Sequence, residues 1–241
     1  HPGACHLYVH ATESTPTPEL AAPCAQFLGT AIPGASHINH MPSHTWNEMG
    51  LWEEAVRANT IAWHSDQKAA IGRGVAIYPT HNLTMLYYAA AMGGASASSI
   101  QASKDLAKLN GNSAMHAMSL VRFGRYDEVL ALDNEPNGDV NRSMYLFSQG
   151  YAALKQDDGD RASEALTVLL DLTETTTARF RFHDGKNIIG ALSGILDGQI
   201  KWDAGKTDSR NLERFRGAGV VNTLVIMVIQ KKTVTGTCAG E

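Results

Sequence analysis

The chain has 241 residues, 44% hydrophobic and 18% charged, enough to bury a substantial core and unlike the composition of a disordered polymer. A formal charge of -4, with no run of five or more Lys or Arg, gives no footprint for nucleic acid. Val220 to Ile229 is the best apolar candidate for a membrane span and is about half the length required, while Cys5, Cys24 and Cys238 lack C-x-x-C spacing and read as small apolar residues rather than a disulfide scaffold or thiolate zinc site.

The chain opens at His1 with neither an initiating Met nor a signal-type apolar segment, which predicts a truncated or processed start. Helices are predicted near residues 2–13, 18–31, 36–49, 51–70, 80–92, 95–109, 112–123, 126–133, 140–156, 159–174 and 184–203. Pro2, Pro18 and Pro79 fall at or just before helix starts, where a missing amide costs nothing. Pro33-Gly34, Gly93-Gly94 and the stretch from Asn134 to Gly138 are breakers. Pro42 lies inside the predicted 36–49 helix, so the chain either kinks there or starts a helix at Pro42. No strand alternation supports a sheet. Residues 208–241 break the pattern, because their apolar run has no matching repeat and Thr233 to Gly240 have no helical period. Two readings stay open for this tail: a poorly packed end, or a segment translated in a shifted reading frame.

A Gly-anchored pattern recurs. Gly50-Leu51-Trp52-Glu53-Glu54-Ala55 returns in altered form from Gly124, from Gly159 and weakly from Gly205, at separations of 74, 35 and 46 residues. These approximate multiples of a helical-hairpin repeat of about 34 residues. Gly closes the first helix in a left-handed turn, the aromatic wedges between the helices, and the small residue allows close approach. The expectation is an all-α, right-handed solenoid of antiparallel helix pairs over residues 1–207.

The candidate chemistry is concentrated in the first third, where seven of the ten histidines occur. His6 and His10 are four apart with Glu13 on the same helical face; His40 and His44 repeat the spacing, and His37 lies three before His40. Two such pairs with a nearby carboxylate offer the donor set for a divalent transition metal such as zinc, copper or iron, so His6, His10, Glu13, His40 and His44 are the candidate ligands. The competing reading is structural, with imidazoles satisfying backbone groups between packed helices. On the helix from Trp52, Asn59 and Asp66 interrupt an apolar stripe and need buried partners, which the histidines can supply. Tyr78, His81 and Asn82 cluster at the start of the next helix, as caps or as part of the same pocket. If the histidine pairs share a cavity, opposing ring nitrogens should approach to roughly 3 to 4 Å. His116 and His183 read as structural, and neither a phosphate-binding Gly-rich loop nor a nucleophile elbow occurs.

His1-Pro2-Gly3-Ala4-Cys5-His6, His40-Met41-Pro42-Ser43-His44 and the hairpin Gly50-x-Trp52-x-x-Ala55 resemble a group of bacterial tetratricopeptide-repeat proteins with HPGA-x-H and MPSH segments. The likeness covers residues 1–90 well and 110–205 only as generic repeats. It implies the helical-repeat fold, further helices before His1, and no particular activity. Two functions follow as expectations: a scaffold binding a protein or peptide on its concave face, as repeat arrays mostly do, or a metalloprotein closing the histidine face into a pocket.

Overall fold

The computed structural model describes residues 1–72, 76–180 and 183–205, so the expectations for the 208–241 tail lie outside the described residues. The described chain is mostly helical, with one two-residue β-hairpin as its sheet. It forms two compact units, His1–Asn110 and a second beginning at Gly111.

The first unit contains α1 (Pro2–Thr12), a 3₁₀ turn (Pro18–Ala21), α2 (Ala22–Ala31), α3 (Ser36–His40), α4 (Pro42–Glu48), α5 (Trp52–Ala70), α6 (Pro79–Met92) and α7 (Ser96–Asn110). Pro18 opens a 3₁₀ turn rather than an α-helix, and Pro42 starts α4 with Met41 as the joint, so the predicted 36–49 helix is two short helices. Both prolines occupy first-turn positions, where no amide partner is lost. Helix α1 packs on α2 and α4, α3 and α4 pack on α5, and α6 lies between α5 and α7. Val9, Ala21, Ala25, Leu28 and Met41 form a small core beneath the short helices. Helix α6 buries most of its circumference, from Asn82 and Leu83 to Ala91.

Cys5 and Cys24 form a disulfide joining α1 to α2, with Cα atoms 5.0 Å apart. This corrects their reading as plain apolar residues: a pair separated by 19 positions carries no spacing signature, and only the packing of α1 on α2 brings the thiols together.

The second unit contains α8 (Ala114–Arg122), α9 (Tyr126–Leu130), α10 (Asp139–Lys155), α11 (Gly159–Thr175), the antiparallel hairpin β1 (Arg179–Phe180) and β2 (His183–Asp184), and α12 (Gly185–Asp203). Its core gathers Met144, Phe147, Leu169, Ile189, Leu192 and Leu196. Gly150 allows the helices to close, since a Cβ there would lie 2.8 Å from the Ala165 Cβ and 2.9 Å from Leu196 Cδ2.

One closure recurs at four helix ends. The amides of Leu51, Ala95, Arg125 and Asp158 donate to the carbonyls of Trp46, Ala90, Leu120 and Ala153 at 2.8 to 2.9 Å, each across a left-handed residue: Gly50, Gly94, Gly124 and Asp157. This is the Schellman pattern, and the next helix begins immediately beyond it. The sequence pattern placed the third turn at Gly159. The structure gives the left-handed position to Asp157, at φ 60°, and makes Gly159 the first residue of α11.

A candidate metal centre

Five helices of the first unit supply the site. Helix α1 carries His6 and His10 one turn apart, with Glu13 capping its C-terminal end. His37 and His40 come from α3, His44 from the first turn of α4, Asn59 from α5, and His81 from the start of α6. Because Pro42 restarts the helix after a single joint residue, His40 and His44 keep their one-turn relation across the break.

The six imidazoles form a continuous chain of ring contacts. Centroids lie 4.9 Å apart for His6 with His10 and with His37, 5.0 Å for His10 with His44, 4.7 Å for His40 with His44, and 4.6 Å for His40 with His81. Two pairs meet through their Nε2 atoms, His40 with His44 at 2.8 Å and His6 with His37 at 3.2 Å. His40 is fully buried and His44 is 4% exposed, whereas His6, His10, His37 and His81 are half-buried.

The other ring nitrogens fix the protons. Asn59 Nδ2 donates to the Ala55 carbonyl at 2.9 Å, which turns Asn59 Oδ1 toward His40 Nδ1 at 2.6 Å. That oxygen only accepts, so His40 Nδ1 carries hydrogen, and in the neutral ring Nε2 is bare. Ser43 Oγ donates to the same Asn59 oxygen at 3.3 Å. Glu13 Oε2 accepts from His44 Nδ1 at 2.5 Å and Glu13 Oε1 from His10 Nδ1 at 2.8 Å, so those neutral rings also present bare Nε2 atoms. With both rings neutral, two lone pairs face each other between His40 and His44, an arrangement that is repulsive unless a cation lies between them.

Burial disfavours the charged form of three of these rings, His6, His37 and His40. Burial is the largest effect holding His6 below its ordinary pKa, with His10 and His44 adding to it. Burial lowers His37 to about 4, aided by His6, His44 and His10. His40 is pushed well below the ordinary imidazole value, by burial first and then by His81 and His44, against the opposing hydrogen bond that it donates to Asn59. Burial alone would raise Glu13, but the hydrogen bonds from His10 and His44 outweigh it and bring the carboxyl below its usual value. Neutral imidazole is the form that binds metal.

Donor atoms of His6, His10 and His37 lie within 4.8 Å of one another, as do those of His40, His44 and His81, and those of His10, Glu13 and His44. Glu13 was counted among the ligands from its spacing. Its oxygens sit at hydrogen-bond distance from Nδ1 atoms, shorter than the roughly 3.3 Å between ligands in a tetrahedral shell, which is the geometry of an outer partner. His37 and His81, assigned to the pocket wall from sequence, lie among the donor atoms.

Comparison with family models, with curated proteins and with solved structures finds no match in any of the three.

Asp66 was expected to orient an imidazole. Instead it accepts from Asn82 Nδ2 at 2.7 Å, and Asp66 Oδ1 and Asn82 Oδ1 are both buried without a hydrogen-bond partner. Asn82 does not cap α6. Tyr78, the residue before Pro79, takes a left-handed conformation at φ 59°, and its ring centroid lies 5.5 Å from that of His37. Ser43 was missed by sequence reading, although its place immediately before His44 was the available signal. No helix among the described residues is long and apolar enough to cross a membrane.

Proposed function

We propose that the first unit is a transition-metal-binding module whose ligands are the histidines of α1, α3, α4 and α6. The observation that carries this reading is the approach of the His40 and His44 Nε2 atoms to 2.8 Å while both Nδ1 atoms are held by Asn59 and Glu13. A hydrogen-bonded structural pair needs one Nε2–H, which neither ring can offer while neutral and so held. An ion between them turns the repulsion into coordination after the rings part by about half an ångström, toward the roughly 3.3 Å between nitrogens in a tetrahedral shell. Imidazole donors suit zinc, copper, iron or nickel. The test is to strip the full chain with a chelator, titrate it with zinc and with copper, and follow thermal unfolding. Ligand at a hundred times its Kd should stabilise the fold by about 2.7 kcal/mol. An unfolding curve that ignores both metals, with no ion retained on purification, would end the proposal.

A second reading has its own support in the four recurrent Schellman closures. In it the paired helices are tetratricopeptide-type hairpins, and their surface serves as a scaffold for a protein or peptide. The two readings are compatible, because the metal centre uses one face of the first unit's short helices.

A further inference from the structure

Resting on the metal-binding reading, we infer that the cluster is a two-ion centre, with one copper on His6, His10 and His37, a second on His40, His44 and His81, and dioxygen as the molecule that bridges them. Six nitrogens around a single octahedral ion would all lie within roughly 4.2 Å of one another. Here they divide into two separate triads, each self-contained within 4.8 Å, and the one group crossing between them, His10 with Glu13 and His44, does so through the carboxylate. Each triad also contains its own facing Nε2 pair, His6 with His37 and His40 with His44. The triads abut, with His10 and His44 ring centroids 5.0 Å apart and those of His37 and His40 5.8 Å apart, so two ions would sit close enough for one small molecule to touch both.

Glu13 joins the two halves from outside. One oxygen fixes a ring of the first triad and the other fixes a ring of the second. Both oxygens are thereby used, so the carboxylate is not free to bridge the ions, and the bridge must come from solution. Three imidazole nitrogens to each ion, with no fourth donor in either triad among the described residues, leave each ion an open position. Copper is assigned from the Irving–Williams order, in which a given nitrogen site binds Cu(II) more tightly than the other divalent first-row ions. Were both triads to hold Cu(I), the two electrons that reduce dioxygen to peroxide would be available, one from each ion, and the reduction would balance without protons. Dioxygen would reach the ions past the half-buried rings, His6, His10 and His37 of the first triad and His81 of the second, since His40 and His44 are closed to solvent.

The experiment loads the full chain with Cu(I) under anaerobic conditions, removes unbound metal, counts copper per chain and then admits oxygen. The expected result is about two coppers per chain, a near-ultraviolet peroxide-to-copper absorption band, and almost no Cu(II) electron-spin signal because the two spins couple. The pair of substitutions His6→Asn and His37→Asn should leave about one copper, abolish the band and restore a spin signal from one isolated Cu(II). His81→Asn, at a half-buried position less exposed to folding damage, should likewise weaken retention of the second copper and uncouple the first. One copper per chain in the unmodified protein, or two with the full spin signal of isolated ions, overturns the two-ion inference while leaving metal binding intact. Retention of no copper and no zinc overturns both.

Discussion

Replacing Glu13 with Gln keeps the shape of the side chain and removes one of its two acceptors. The carboxylate takes an N–H from His10 at 2.8 Å and another from His44 at 2.5 Å. Gln can accept from only one of them, and its NH₂ must face the other ring. That ring then moves its proton from Nδ1 to Nε2, and metal binding must move it back at the expense of that hydrogen bond. Loss of an outer partner of this kind weakens metal affinity by about 10- to 100-fold, or roughly 1.4 to 2.7 kcal/mol. The assay is competition against a chelator of known affinity, with the full chain and the Glu13→Gln variant side by side and cobalt(II) as the spectroscopic probe. The variant should bind more weakly yet show, at saturating cobalt, the same coordination number as the parent. Equal affinity would refute the role of Glu13 in orienting the rings. A changed coordination number with only its own oxygen lost would show that Glu13 is itself a ligand, as its spacing in the sequence suggested.

Two further outcomes follow from the geometry. In the metal-free protein, His37 titrates at about 4 rather than near 6.5, so the unfolded chain takes up this proton first and stability falls as pH drops from about 6.5 through about 4, being fully present above that window. The gap corresponds to at most ~3 kcal/mol and, with the ring partly open to solvent, to ~2 kcal/mol; denaturation midpoints at pH 7.5 and 4 that coincide would contradict it. In the second unit, Gly150→Ala gains about 1 kcal/mol of helix propensity but forces a methyl against the Ala165 Cβ, which has no flexible end to swing away. Overpacking costs typically 1 to 3 kcal/mol, so the variant should melt lower, and an unchanged or raised melting temperature would refute the close approach.

Much of the helical order was legible because Gly and Pro act locally. Pro2, Pro42 and Pro79 occupy helix-start positions, and Gly50 and Gly124 close helices where the repeat placed them. Asp157 shows the limit: a left-handed position held by a residue with a Cβ leaves no compositional mark, and the adjacent Gly159 drew the assignment instead. The one-turn pairs His6 with His10 and His40 with His44 are likewise local, and so was the expectation that Asn59 meets a histidine. The arrival of His81 beside His40, the choice of Asn82 rather than a histidine as partner for Asp66, and the straddling position of Glu13 are tertiary facts. Each depends on which helices pack together, and no spacing within one helix encodes that.

The bond between Cys5 and Cys24 bears on more than the seating of α1. Cys5 directly precedes His6, so as a free thiol it would place a soft sulfur donor beside a nitrogen site, and thiolates hold Cu(I) and zinc strongly. Joined to Cys24, the sulfur is no longer an anionic ligand, and the donors left near the N-terminus of α1 are imidazoles alone. On the proposed metal-binding reading, the redox state of the surroundings would select the coordination chemistry: in an oxidising milieu the donors are nitrogens, and in a reducing one the same chain would offer two thiols to compete with the histidines for the ion.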